Sequence, residues 1–88
     1  MKIKKGFVLR RVMGNYVVIA VGEASRSFRG MIKLNDTAAA VWKGIEKGLS
    51  TSDICDAICE EYDVERSVAL ADVEKVVSEL TENGFITE

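Results

Sequence analysis

Few side chains in this 88-residue sequence suit chemistry, and their spacing argues against most reactions. There is no histidine, so the commonest general base and metal ligand are both missing. Cys55 and Cys59 fall four apart in a helical pattern, where both thiols share a face but a disulfide would be strained. Two thiols without a further ligand also make a poor metal set, and they read as small, reduced core residues. A carboxylate or lysine enzyme remains conceivable, yet Glu46, Asp53, Asp56, Glu60 and Glu61 fall on helix faces turned toward water. Nothing matches a phosphate loop or a dinucleotide fingerprint. Catalysis by this chain alone is not expected, nor is a metal or a cofactor.

The elements that position these side chains divide at Met31-Ile32-Lys33-Leu34-Asn35-Asp36-Thr37. Before it the sequence reads as sheet. Phe7 to Met13 is rich in strand formers, with Phe7, Leu9 and Met13 on one face and Val8, Arg10 and Val12 on the other. Gly14-Asn15 supplies the positive φ angles of a two-residue hairpin, which folds Tyr16 to Val21 back antiparallel. That second strand is apolar on both faces, as a central strand would be. Gly22 to Gly30 is the longest irregular segment, with Phe28 as its anchor and Arg26 and Arg29 as cations that could reach either a carboxylate of a bound peptide or a partner enzyme. Met31 to Leu34 makes a short third strand that looks like an edge, with Ile32 and Leu34 on one face and Met31 and Lys33 on the other.

After the junction the sequence reads as helix. Asn35 is a favoured N-cap, and the helix from Asp36 to about Lys47 repeats Ala38, Val41, Trp42 and Ile45 at core spacing. Ser50-Thr51-Ser52-Asp53 caps a second helix along Ile54, Ile58 and Tyr62. Ser67 to Asn83 carries Ala69, Val73, Val76, Val77 and Leu80 and is the longest helix; Gly84 stops it before the apolar Phe85 and Ile86. Three strands followed by three helices form a single α+β domain, residues 1–88, of winged-helix type with a three-stranded antiparallel N-terminal sheet. An edge strand thus comes to lie beside a helical groove, which is the place to look for function.

Charge is unevenly spread. Residues 1–33 hold eight basic residues and one acidic residue, whereas residues 34–88 hold four basic and thirteen acidic ones, giving halves of +7 and −9. A nucleic-acid-binding winged helix needs a basic recognition helix to displace counterions from phosphate. Here Glu65, Asp72, Glu74, Glu79 and Glu82 outnumber Arg66 and Lys75, so nucleic acid is not the expected partner. The longest apolar run, Tyr16 to Val21, falls far short of the roughly 20 residues of a membrane helix. No signal peptide is apparent, so a cytoplasmic protein without membrane contact is expected.

Gly30-Met31-Ile32-Lys33-Leu34-Asn35-Asp36-Thr37-Ala38-Ala39, followed by Trp42, closely resembles the strand-to-helix signature of the PqqD-like family. These are the peptide-recognition elements of ribosomal peptide natural-product pathways. The match continues through Glu61-Tyr62-Asp63-Val64, Asp72-Val73 and Leu80 to Asn83-Gly84-Phe85-Ile86. The resemblance implies a non-catalytic chaperone that binds the leader segment of a precursor peptide by strand addition and presents the peptide to a modifying enzyme, most often a radical SAM enzyme. It also implies that the backbone of Met31, Ile32, Lys33 and Leu34 pairs with the leader, and that Val68, Asp72, Lys75, Val76 and Glu79 wall the groove. An edge of this kind could equally accept a second copy, giving a homodimer through the third strand. The rival readings are a winged-helix nucleic-acid binder and a subunit that docks on an enzyme without touching peptide.

Overall fold

The computed structural model describes residues 1–28 and 30–87, so the expectation placed on Arg29 lies outside the described residues. The elements run β1 (Lys2–Ile3), β2 (Phe7–Val12), β3 (Asn15–Ala20), a 3-10 turn (Gly22–Arg26), β4 (Met31–Leu34), α1 (Asp36–Glu46), α2 (Thr51–Tyr62), α3 (Arg66–Glu82) and β5 (Ile86–Thr87). The expected α+β order of an antiparallel three-stranded sheet followed by three helices is present. Two short strands are added to it.

Leu9 and Val18 set the register of the main sheet. They lie opposite each other in the antiparallel β2–β3 pair, and Phe7 lies opposite Ala20. The tight turn consequently falls on Met13 and Gly14, with φ of 51° and 82°, one residue earlier than the sequence suggests. A turn at Gly14-Asn15 would have set Arg11 against Val18, a fully buried side chain. Burial of an apolar pair outweighs the cost of a methionine in left-handed backbone, on the order of 1 kcal/mol. Met13 therefore leaves the strand and stands 95% exposed at the hairpin tip.

The sheet order is β2-β3-β4, which makes β3 the central strand and β4 an edge. In β4, Ile32 and Leu34 turn inward while Met31 and Lys33 are exposed. The helices cover the inner face. Val18, Leu34, Val41, Trp42, Ile45, Ile54, Val73, Leu80 and Phe85 form one continuous core. Phe28 pins the 3-10 segment to it, with its ring 5.6 Å from Phe7 and 5.5 Å from Phe85. The segment expected to be irregular is thus partly helical and anchored by the residue picked for that role.

Both helix caps form as the sequence suggests. Asn35 Oδ1 accepts from the Ala38 N–H at 2.8 Å, and Ser50 Oγ accepts from the Asp53 N–H at 3.1 Å. Each satisfies an N–H that the first turn would otherwise leave without a partner. Where α1 crosses α2 the helices come close because Gly44 has no side chain. A Cβ there would sit 2.6 Å from Ile54 Cγ1. Arg66 ties α3 to α2 through Asp56 Oδ1 at 3.1 Å and Ser52 Oγ at 2.8 Å. Finally, β1 pairs antiparallel with β5, Lys2 opposite Thr87 and Ile3 opposite Ile86. No helix is long and apolar enough to cross a membrane among the described residues.

Candidate functional site

Among the described residues, β4 has a neighbouring strand on one side only. In an antiparallel ladder alternate residues turn their N–H and C=O to one side, so a four-residue edge strand leaves about four such groups facing outward. The sequence builds this edge by following a short strand with a helix cap. Asn35 takes over the backbone at the end of β4 and turns the chain into α1, whose first turn then stands beside the edge.

Beyond the edge lies a groove of about 270 Å³ between β4, the start of α1 and α3. Leu34, Ala38 and Val76 give it an apolar floor; Lys33, Asp72, Lys75 and Glu79 give it charges of both signs. The only ion pairs among the described residues are Arg26–Glu23 and Arg66–Asp56, so these four charges have no ionic partner among them. Asp72, Lys75, Val76 and Glu79 share one stripe of α3 because they recur at three- and four-residue spacing.

Six of the nine residues singled out from the sequence thus meet in one groove: Lys33, Leu34, Asp72, Lys75, Val76 and Glu79. Met31 and Ile32, expected to pair through their backbone, belong to the β4 edge itself, and Val68 lies outside the groove. Met31 is 67% exposed and faces a separate hollow with Ile19, Ser25 and Phe28. Ile32 is half-buried against the core. Val68 is 52% exposed, one helical turn before Asp72 on the same stripe, and does not line the groove. Asn35, Thr37 and Ala38 line it without having been singled out. The cap signal at Asn35 could have found them, since it places the first turn of α1 directly after the edge strand.

A second cavity, of about 340 Å³, opens on the opposite side of α1, between that helix, α2 and the end of the hairpin. Lys43 Nζ donates to Tyr16 Oη at 3.0 Å there and lies 4.5 Å from the centre of the Tyr16 ring, with the Arg11 guanidinium 5.1 Å from it. The hydrogen bond and the charge of Lys43 hold the Tyr16 phenol below its ordinary range. Tyr62, grouped with the core by its spacing from Ile54 and Ile58, is 41% exposed and lines this cavity instead.

The thiols lie apart from both cavities and are free. Cys55 is buried and approaches the Arg66 carbonyl oxygen, 3.6 Å away. Burial, with Cys55 beside it, pushes the Cys59 thiol up, which disfavours the reactive thiolate. Glu65 at the N-cap and Asp72, Glu74, Glu79 and Glu82 on α3 are all exposed, so the longest helix presents an acidic surface unsuited to phosphate.

Comparison with known proteins follows the same lines. No curated protein matches the chain. Two solved structures share its fold. One is described as TbiB1 in complex with the TbiA(beta) leader peptide, with a TM-score of 0.78 and 24% identity over 97% of this chain and 93% of that one. The other is described as lasso peptide synthetase B1 complexed with the leader peptide, with a TM-score of 0.82 and 28% identity over 99% of this chain and 96% of that one. Residues 15–86 match the family described as coenzyme PQQ synthesis protein D (PqqD), and the chain belongs to that family.

Proposed function

We propose that this protein binds the leader segment of a ribosomally made precursor peptide, by adding it as a strand to β4, and presents the peptide to a modifying enzyme. The observation that carries the reading is the open edge of β4 bordering a groove whose four charges form no ion pair among the described residues. About four backbone hydrogen bonds at roughly 0.5–1.5 kcal/mol each reach at best the lower end of the roughly 4–15 kcal/mol that association and ordering cost. Groove contacts must supply the difference, so Leu34, Val76, Lys33, Lys75, Asp72 and Glu79 would select the sequence while the edge holds the backbone. The leader-bound descriptions of both similar structures support this assignment.

The protein acts here without catalysis of its own. Its sequence has no histidine, and its carboxylates stand on exposed helix faces. Chemistry falls to the partner, and a radical SAM enzyme is the class that the family resemblance implies. The work takes place in the cytoplasm, where a ribosomal precursor is made. Without peptide, the β4 edge is available to a second copy of the chain.

Titration of the labelled protein with the leader segment of its precursor tests the reading. The amides of residues 31–34 and of Asp72 to Glu79 should shift in the NMR spectrum. Shifts confined to β2, β3 and the 3-10 segment, with residues 31–34 silent, would overturn it.

A further inference from the structure

The cavity on the far side of α1 differs in chemistry from the groove. Its floor is the small-residue face of α1, made of Ala39, Ala40 and Gly44, with Ile54 and Ile58 of α2 as one wall. Three cations stand around it: Arg11 at the end of β2, and Lys43 and Lys47 one turn apart on α1. None of the three forms an ion pair among the described residues, although Asp36 and Glu61 also line the cavity. Lys43 spends one N–H on Tyr16 and keeps two donors for another acceptor. An apolar floor beneath unpaired cations fits an acidic side chain with an apolar neighbour, as two adjacent residues of a peptide provide.

The sheet register connects the two sites. Leu34, which lines the groove, lies opposite Tyr16, and Tyr16 lies opposite Arg11. The row Leu34, Tyr16, Arg11 therefore leads across the sheet from the groove into the second cavity. Asn35 lines the first and Asp36 the second. Strands lie about 4.8 Å apart, so a strand paired to β4 is about 10 Å from the Tyr16 backbone, which roughly three extended residues span.

We propose that the cleft between α1 and α2 is a second subsite for the same peptide, taking an acidic residue and its apolar neighbour about three residues beyond the groove-bound strand at its Leu34 end. The proposal rests on the leader-binding reading above. It adds, to the edge that holds the backbone and the groove that selects side chains, a cleft that reads a further acidic residue.

Two probes test the cleft by itself: acetyl-Leu-Glu-Ala-Leu-amide and its glutamine counterpart, acetyl-Leu-Gln-Ala-Leu-amide. The glutamate peptide should shift the amides of Ala40, Gly44 and Tyr62, with at least threefold tighter binding than the glutamine peptide. Lys43→Met, which keeps the apolar stem, should abolish that difference, and Arg11→Gln should reduce it. Equal binding of the two peptides, or no shift at those amides, would overturn the subsite. A second arm uses the leader segment with and without the residues that leave the groove past Leu34. Trimming them should weaken binding about tenfold in the natural protein and leave Lys43→Met unchanged; equal losses in both would overturn the link between the sites. In the leader-segment arm, continued shifts at residues 31–34 would leave the groove reading standing, and silence there would defeat the groove reading instead.

Discussion

Lys43 Nζ donates a hydrogen bond to Tyr16 Oη at 3.0 Å, joining α1 to the start of β3 across 27 positions of sequence. The bond favours the phenolate, so Tyr16 should titrate below the ordinary 10.0. Tyr62 goes the other way, pushed up by desolvation and then by Glu61 and Asp36. The two tyrosines should give a two-step tyrosinate curve by ultraviolet absorbance, and Lys43→Met should move the lower step upward. The sign for stability follows: a lowered folded pKa adds stability that is present above the unfolded value near 10 and is lost as pH falls through the folded one. A single step in the natural protein would show that the bond does not persist in solution.

The groove and the stripe that leads to it can be separated by mutation. Lys33→Glu with Val76→Asp should weaken leader binding at least tenfold, which is about 1.4 kcal/mol. Val68→Asp, on the same helix face but one turn outside the groove, should change it less than threefold. Calorimetric titration of the three proteins with one leader segment decides the matter. Equal losses would extend the site along the whole stripe of α3.

The crossing of α1 and α2 depends on Gly44. Gly44→Ala puts a methyl group against Ile54, whose side chain is 1% exposed and has no room to yield. Such overpacking costs about 1–3 kcal/mol. The clash involves one neighbour, so Gly44→Ala combined with Ile54→Ala should cost less than the sum of the two single changes. Urea unfolding of the four proteins measures the coupling, and strict additivity would place the strain elsewhere.

Met13 offers the opposite result. It sits in left-handed backbone with its side chain 95% exposed, so it contributes no burial and strains the turn. Met13→Asn creates the Asn-Gly pair favoured in this turn and should stabilise the protein by about 0.5–1 kcal/mol in the same urea assay. A loss of stability would mean that the methionine makes contacts not visible in the isolated chain.

The open edge of β4 should also show itself without peptide. Sedimentation of the protein alone should reveal dimers that grow with concentration and dissolve on addition of the leader segment, since both compete for one row of backbone groups. Monomer at every concentration would remove the second copy from the account.

Where local chemistry decides structure, the sequence was a good guide. The caps at Asn35 and Ser50, the buried Trp42 and the inward face of Ile32 and Leu34 each follow from residue type and period. The features it hid depend on distant partners. The hairpin turn shifted to Met13-Gly14 because the pairing of Leu9 with Val18 outweighs the turn propensity of Gly14-Asn15. Two-residue strands such as β1 and β5 carry no period at all. Tyr62 has core spacing but lies at the last turn of α2, past the point where other elements cover that face. The groove was half legible: the helical stripe from Asp72 to Glu79 follows from spacing, but its alignment with Lys33 and Leu34 depends on how α3 crosses the sheet.

The pairing of β1 with β5 has a consequence for how such a unit can travel. With Lys2 opposite Thr87, the two ends of the described fold leave it side by side, on a pair of strands separate from the main sheet. A host protein could therefore carry the whole unit as an insertion in one of its surface loops, entering and leaving through a gap one strand wide. The fold resembles a bead on a clasp, both of whose ends lie away from the β4 edge.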